Sequence, residues 1–235
     1  MPTRSGPNRT RWFSARYGIV PIWAIILVLT LGATLITYAS WPHTAVKAEP
    51  RTVVTGNIRI ATLGDSITIG GGTDLTGEPN TDRSWVRYAV GHGVTWTAGF
   101  AHRGFTTAMI LGQSKRFDVD VLVVLAGTND TLHGVPFATS AASLKAIVAE
   151  AGVARVIVSS IPPQDAAPEA AISYNKHLRA LAARRGWDYV DATKALRRAD
   201  VYIPKLTLDG IHPTPAGAKL LGQALHKAIV AEAKR

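Results

Sequence analysis

Three residue types in this chain have the chemistry for acyl transfer, provided the fold unites them. Ser66 follows Gly64-Asp65 at the end of the run Ile58-Arg59-Ile60-Ala61-Thr62-Leu63. That run mixes apolar and β-branched residues as a strand does. Gly-Asp-Ser then turns the chain sharply and leaves a hydroxyl at the strand's carboxyl end, the edge where open α/β sheets bind ligands. Far downstream, Asp209 and His212 lie three residues apart. A carboxylate at that spacing can fold back to the imidazole Nδ1–H, fix the tautomer and leave the other nitrogen as a general base. Pro213 disfavours a helical His212 and keeps the pair in a loop. Taken alone, Asp-x-x-His reads as a turn acid beside a surface histidine.

A serine nucleophile also needs donors for the oxyanion it creates. Gly104 and the Gly127-Thr128-Asn129 stretch each follow an expected strand, so both fall on the same rim as Ser66. A glycine N–H can approach a ligand closely because no side chain intervenes. The Asn129 amide adds a side-chain donor, and the Ser66 N–H makes a third. Singly, each of these is an ordinary turn residue; their joint occurrence carries the argument.

Four blocks in this order, Gly64-Asp65-Ser66, Gly104, Gly127-x-Asn129 and Asp209-x-x-His212, resemble the SGNH hydrolase superfamily, the GDSL esterases and lipases. The resemblance spans residues 57–235. It implies a flavodoxin-like three-layer α/β/α sandwich with a five-stranded parallel sheet in the order 2-1-3-4-5. It implies Ser66 as nucleophile, His212 as base and Asp209 as its partner, with Ser66, Gly104 and Asn129 as the oxyanion hole. Where the family often has an asparagine shortly before that glycine, this chain has Ala101-His102-Arg103, and Gly99 is the alternative glycine. Asp65 and Gly127 are expected to shape the site, and Arg103 and His133 to touch substrate. The serine does not sit in the nucleophile elbow of α/β-hydrolases, because Thr68 stands where the second glycine belongs.

The elements that must position these residues alternate. Strands are expected at Ile58–Leu63, Val94–Thr97, Val119–Leu125, Ala154–Ser160 and Trp187–Asp191. Helices are expected near residues 84–91, 106–112, 138–151 and 168–185, the last with Ile172, Leu178 and Leu181 inward. A closing helix starts at Pro215 with Thr214 as cap and runs to about Ala233. Alternation of this kind gives a parallel sheet covered on both faces. Asp118 and Asp120 flank a strand start and read as solvated acids.

The 235-residue chain has no cysteine, so no disulfide or thiolate metal site can form. Its histidines show no metal-ligand spacing, and neither a metal nor any other cofactor is expected. Half of the net charge of +10 sits in residues 1–51, where six basic residues face one acid. The rest is dispersed, which argues against a nucleic-acid partner. Residues 18–39 are free of charge and follow four arginines. As a helix they reach about 33 Å, enough for a bilayer core of roughly 30 Å, with the arginines held inside.

The expected organisation is therefore a basic cytoplasmic tail (1–16), a transmembrane signal anchor or signal peptide (17–41), a linker (42–56) and the hydrolase domain (57–235). The domain would lie outside the cytoplasm, tethered to the membrane or secreted after cleavage. The length of the apolar segment favours an anchor. The expected activity is hydrolysis of acyl or acetyl esters of lipids, glycans or small molecules through an acyl-serine. The alternatives are envelope acyl transfer by the same residues and a tethered, non-catalytic binding module.

Overall fold

The computed structural model describes residues 53–72, 75 and 81–235. The expected tail and membrane segment lie outside the described residues, and the expected linker enters them only at Val53. Among the described residues, no helix is long and apolar enough to cross a membrane. The chain is tied to the fold ahead of its first strand, where the Val54 N–H donates to the Ala233 carbonyl at 3.0 Å.

Five parallel strands form the central sheet: β1 (Ile58–Gly64), β2 (Val94–Ala101), β3 (Val121–Leu125), β4 (Val156–Ser159) and β5 (Asp188–Val190). Their order is β2-β1-β3-β4-β5, as the resemblance implies. β3 is Val-Leu-Val-Val-Leu and is buried along its whole length. Successive side chains of a strand point to opposite faces, so a strand covered on both sides is apolar throughout.

Those two faces make two cores. Leu122 and Val124 pack with Ile110 of α3 (Thr107–Leu111), Leu144 and Ile147 of α5 (Phe137–Ala151) and Leu178 and Leu181 of α6 (Pro168–Arg185). Val121, Val123 and Leu125 pack with Ile67 of α1 (Ser66–Ile69), Val86 and Ala89 of α2 (Val86–Ala89) and Leu221, Leu225 and Ile229 of α7 (Pro215–Ala233). The four-residue spacing on α7 is the inward stripe of an amphipathic helix. Thr214 caps that helix by accepting from the Gly217 N–H. The remaining helix, α4 (Thr128–Leu132), follows β3 directly.

Three expectations change. β2 runs four residues beyond Thr97, because Ala98 to Ala101 pair with Ala61 to Gly64 after a bulge that skips Thr97. Gly99 belongs to that pairing: a side chain there would run into the Thr62 carbonyl. Ile172 is only half-buried, and Ala171 and Tyr174 take the inward places on α6. Asp120 is not a solvated acid. Its carboxylate accepts from the Arg59 N–H at 2.7 Å and, with Asp118, flanks the Arg59 guanidinium.

α7 lies unusually close to α2, because Gly222 leaves no Cβ between them. A methyl there would stand 2.7 Å from Tyr88 Cβ and press on the Trp85 carbonyl. On an open helix, Gly→Ala stabilises by about 1 kcal/mol. Here Gly222→Ala is expected to destabilise by about 1–3 kcal/mol, the usual effect of overpacking. Urea unfolding checks the sign, and a more stable variant would show that the two helices are not in tight contact.

Candidate active site

The site forms where β1 and the loop before α7 meet. β1 ends at Gly64, and Asp65 starts α1 as its cap, with one carboxylate oxygen accepting from the Ile67 N–H at 3.0 Å. Ser66 is therefore the first residue of α1, with its Oγ 3.0 Å from His212 Nε2. The other ring nitrogen, Nδ1, is 2.7 Å from Asp209 Oδ2. The structure thus brings Ser66, His212 and Asp209 into one hydrogen-bonded line.

The loop carrying the pair is held by its own atoms. Asp209 Oδ1 accepts from the backbone N–H groups of Ile211 (3.0 Å) and His212 (2.8 Å). Thr207 Oγ1 accepts from the Gly210 N–H at 2.8 Å and donates to the His212 carbonyl at 3.1 Å. Two outside elements fix the loop in place. The Tyr202 hydroxyl donates to the Ile211 carbonyl at 2.9 Å. The Asp165 N–H donates to the Gly210 carbonyl, while the Asp165 carboxylate accepts from the Tyr202 N–H at 2.8 Å. Burial pushes the Asp209 carboxyl up, but the hydrogen bonds from the His212 and Ile211 amides and the imidazole outweigh it. The net effect holds Asp209 below the usual carboxylate range. It is thus ionised at neutral pH, as an imidazolium partner must be.

Asn129 lies in the first turn of α4 and is 8% exposed. One of its two amide hydrogens goes to the Phe105 carbonyl at 2.9 Å, which binds it to the turn containing Gly104; among the described residues the other hydrogen has no partner. Gly104 is exposed and has φ +79°. Gly127 precedes α4 with φ +123°, and a Cβ there would enter the Tyr174 ring, so only glycine fits. The Tyr174 hydroxyl donates to the Ala126 carbonyl, and Gln164 Nε2 donates to the Thr128 carbonyl and Thr131 Oγ1. The start of α4 is thereby braced from the α6 side. Gly99 lies within the β1–β2 ladder rather than at the rim.

The cleft beside Ser66 has a volume of about 190 Å³ and is lined in part by Ile67, Arg103, Leu208 and His212. Arg103 is therefore at the site. His133 caps the far end of α4, is exposed and does not line the cleft. Among the described residues, no group of three His, Cys, Asp or Glu could hold a metal.

Asp130, which follows Asn129 in the chain, is a site-shaping residue to which the sequence alone gave no role. It is fully buried. Its Oδ2 accepts from the Thr107 N–H at 2.8 Å, and its Oδ1 from the hydroxyls of Thr107 and Ser140, each at 2.6 Å. It therefore ties α3, α4 and α5 together beneath the site. A signal was present, since a carboxylate following Asn129 has no apolar role, but its partners are 10 and 23 residues away.

Residues 62–220 match the sequence profile of the GDSL-like lipase/acylhydrolase family. The chain belongs to that family. No curated protein sequence matches this hydrolase, but solved structures do. A lipase/acylhydrolase from Enterococcus faecalis is 22% identical, with a TM-score of 0.59 over 74% of this chain and 96% of that one. An acetylxylan esterase from Geobacillus stearothermophilus is 20% identical, with a TM-score of 0.58 over 76% and 96%. A family 3 carbohydrate esterase from Clostridium thermocellum is 18% identical, with a TM-score of 0.56 over 76% and 100%. At these identities the structural likeness shows a shared fold.

Asp65 is the costly member of the site. It is fully buried, and one carboxylate oxygen finds no hydrogen-bond partner among the described residues. The Thr128 hydroxyl eases its ionisation without a hydrogen bond of good geometry. Burial is the main reason its carboxyl is pushed up to about 7, and the nearby Asp130 charge adds to this. A raised carboxyl pKa means that the folded protein holds a proton the unfolded chain has released. Stability from this group is therefore present below about pH 4 and lost as pH rises to about 7. Asn can cap a helix as well as Asp, so Asp65→Asn removes the titration and keeps the cap. The stability of Asp65→Asn relative to wild type should grow between pH 4 and 7 and level off above. Its upper bound is on the order of 4 kcal/mol, from about 1.4 kcal/mol per pKa unit. Thermal unfolding from pH 4 to 8 checks this, and a difference that does not vary with pH would contradict it.

Proposed function

We propose that this acylhydrolase is a serine esterase acting on short-chain carboxylic esters. The observation that carries the reading is the line of Ser66 Oγ, His212 and Asp209, with contacts of 3.0 Å and 2.7 Å. Ser66 Oγ attacks the ester carbonyl while its proton passes to His212 Nε2. Asp209 holds the Nδ1–H and stabilises the imidazolium. Negative charge on the carbonyl oxygen is taken up by the Ser66 and Gly104 N–H groups and the Asn129 amide. The alcohol departs with the proton from His212. Water, deprotonated by the same imidazole, then cleaves the acyl-serine.

The cleft of about 190 Å³ is below the roughly 300–1,000 Å³ of pockets that hold drug-sized ligands. This supports a short acyl group such as acetyl. The acetylxylan esterase and carbohydrate esterase among the structural neighbours support an acylated glycan as the source of that group. The side chains of His212 and Asp209 are 31% and 53% exposed, which favours water over a bulky alcohol as acceptor. On this reading, residues 17–41 tether the enzyme outside the cytoplasmic membrane. Support comes from the uncharged segment at 18–39 and the arginines before it.

Short-chain p-nitrophenyl esters test the chemistry. Ser66→Ala is expected to lose about 10⁶-fold in kcat, the scale seen when a catalytic serine is removed, and to lose labelling by a fluorophosphonate probe. Asn129→Ala is expected to lose about 10²–10³-fold while labelling survives. Undiminished hydrolysis by Ser66→Ala would remove Ser66 from the mechanism. Acyl chains of eight carbons turned over faster than acetyl would contradict the short-chain assignment.

A further inference from the structure

The wall of the cleft beside Ser66 is basic. Arg83 and Arg103 both line it, and among the described residues the one carboxylate there is Asp209, already committed to His212 and two amides. Both arginines are exposed, and among the described residues neither guanidinium has a hydrogen-bond or ion-pair partner. Other arginines of the domain are engaged: Arg59 by Asp118 and Asp120, Arg197 by Asp191, and Arg179 over the Tyr189 ring. Two guanidinium groups sharing one small cleft repel each other, and neither has a partner among the described residues. An anion supplied from outside relieves that repulsion and gives their fork of donors a planar acceptor.

Arg83 is not a loosely placed surface residue, because its backbone is stapled to the helix that carries Ser66. The Thr81 hydroxyl donates to the Ile69 carbonyl at 3.1 Å, and the Ser84 hydroxyl donates to the Thr68 carbonyl at 2.6 Å. The wholly buried Trp85 donates its indole N–H to Thr68 Oγ1 at 3.1 Å. Gly70, with φ +68°, lets the 83–84 backbone run against the end of α1. Gly71 lacks a side chain where a Cβ would stand 3.0 Å from Arg83 Nη2, so the guanidinium lies over bare backbone at the cleft wall. Arg103 approaches from the turn that holds Gly104, and its carbonyl is bonded to His102 Nδ1 at 2.8 Å.

We propose that the cleft selects esters whose acyl or alcohol part carries an anionic group, carboxylate or phosphate, gripped by Arg83 and Arg103. This rests on the esterase reading and adds its substrate class. The anion takes no part in bond making: Ser66 acquires the acyl group, and the alcohol leaves with the proton. What the arginines supply is orientation of the carbonyl at Ser66 and a higher local substrate concentration.

Two matched ester pairs separate the possible positions of the charge. One is 4-acetoxybenzoate against its methyl ester, with the anion on the alcohol side. The other is mono-4-nitrophenyl succinate against its methyl ester, with the anion on the acyl side. For at least one pair, the full wild-type chain is expected to show a higher kcat/KM for the anionic ester. The anionic-to-neutral ratio should fall about tenfold in Arg83→Gln and in Arg103→Gln, the scale of one charge-assisted hydrogen bond. It should fall further in the double variant, and rising salt should lower it in wild type. A wild-type ratio near one for both pairs, or a ratio unchanged in the double variant, overturns the proposal.

If no ester is cleaved in a Ser66-dependent way, the esterase reading fails by itself. Saturation-transfer NMR of the same anionic esters on Ser66→Ala then decides the selectivity. Binding that disappears when both arginines become glutamine supports it; binding that persists, or never occurs, overturns it.

Discussion

A single contact between residues 146 positions apart, the Ser66 Oγ to His212 Nε2 hydrogen bond, sets the requirement that the rest of the structure meets. Both residues must emerge on the same side of the sheet. They do so because α1 and α7 pack on one face, with Ile67 and Leu221 in the same apolar cluster. β1 must stop at Gly64 so that α1 can begin, and the cap by Asp65 makes that stop sharp. α7 must begin just after His212, and Thr214 and Pro215 fix that start. Apolar burial supplies the energy for this convergence, and local hydrogen bonds supply its accuracy.

Beneath the reacting groups lies a polar layer that a purely apolar core would replace at lower cost. Asp130 is fully satisfied there by Thr107 and Ser140. Asp65 is only half satisfied, and Thr128 and Gln164 each keep one buried oxygen without a partner among the described residues. Unpaired buried oxygens each cost on the order of 1–3 kcal/mol. Asp65 and Thr128 directly precede Ser66 and Asn129 in the chain, and Gln164 is bonded to Thr128, so the unpaired oxygens fall on the residues that flank these two turns.

Much of this was legible in the sequence because it is local. The nearly continuous apolar run Val119–Leu125 fits a strand covered on both faces, and β3 occupies its last five residues. Thr214 announces the helix it caps. Ser66, Asp209 and His212, which the structure joins, are marked by residue type and by order along the chain. What stayed hidden depends on partners distant in sequence. β2 gains its second half from pairing with β1, since small residues such as Ala98 and Gly99 carry little strand signal of their own. Asp120 is drawn from solvent by the Arg59 amide. Ala171 and Tyr174 displace Ile172 because contacts with the sheet, not hydrophobicity alone, set the rotation of α6. Arg83 reaches the cleft only through the clamp of Ser84 and Trp85 on α1, which no spacing rule encodes.

The loop bearing Asp209 and His212 is knitted internally by Thr207 and by the Asp209 carboxylate itself. Acid and imidazole are therefore held to each other by the loop itself, while their register with the serine depends on the outside braces from Tyr202 and Asp165. A substitution that removes a brace, such as one at Tyr202, strains the contact with the serine before it strains the acid–imidazole pair.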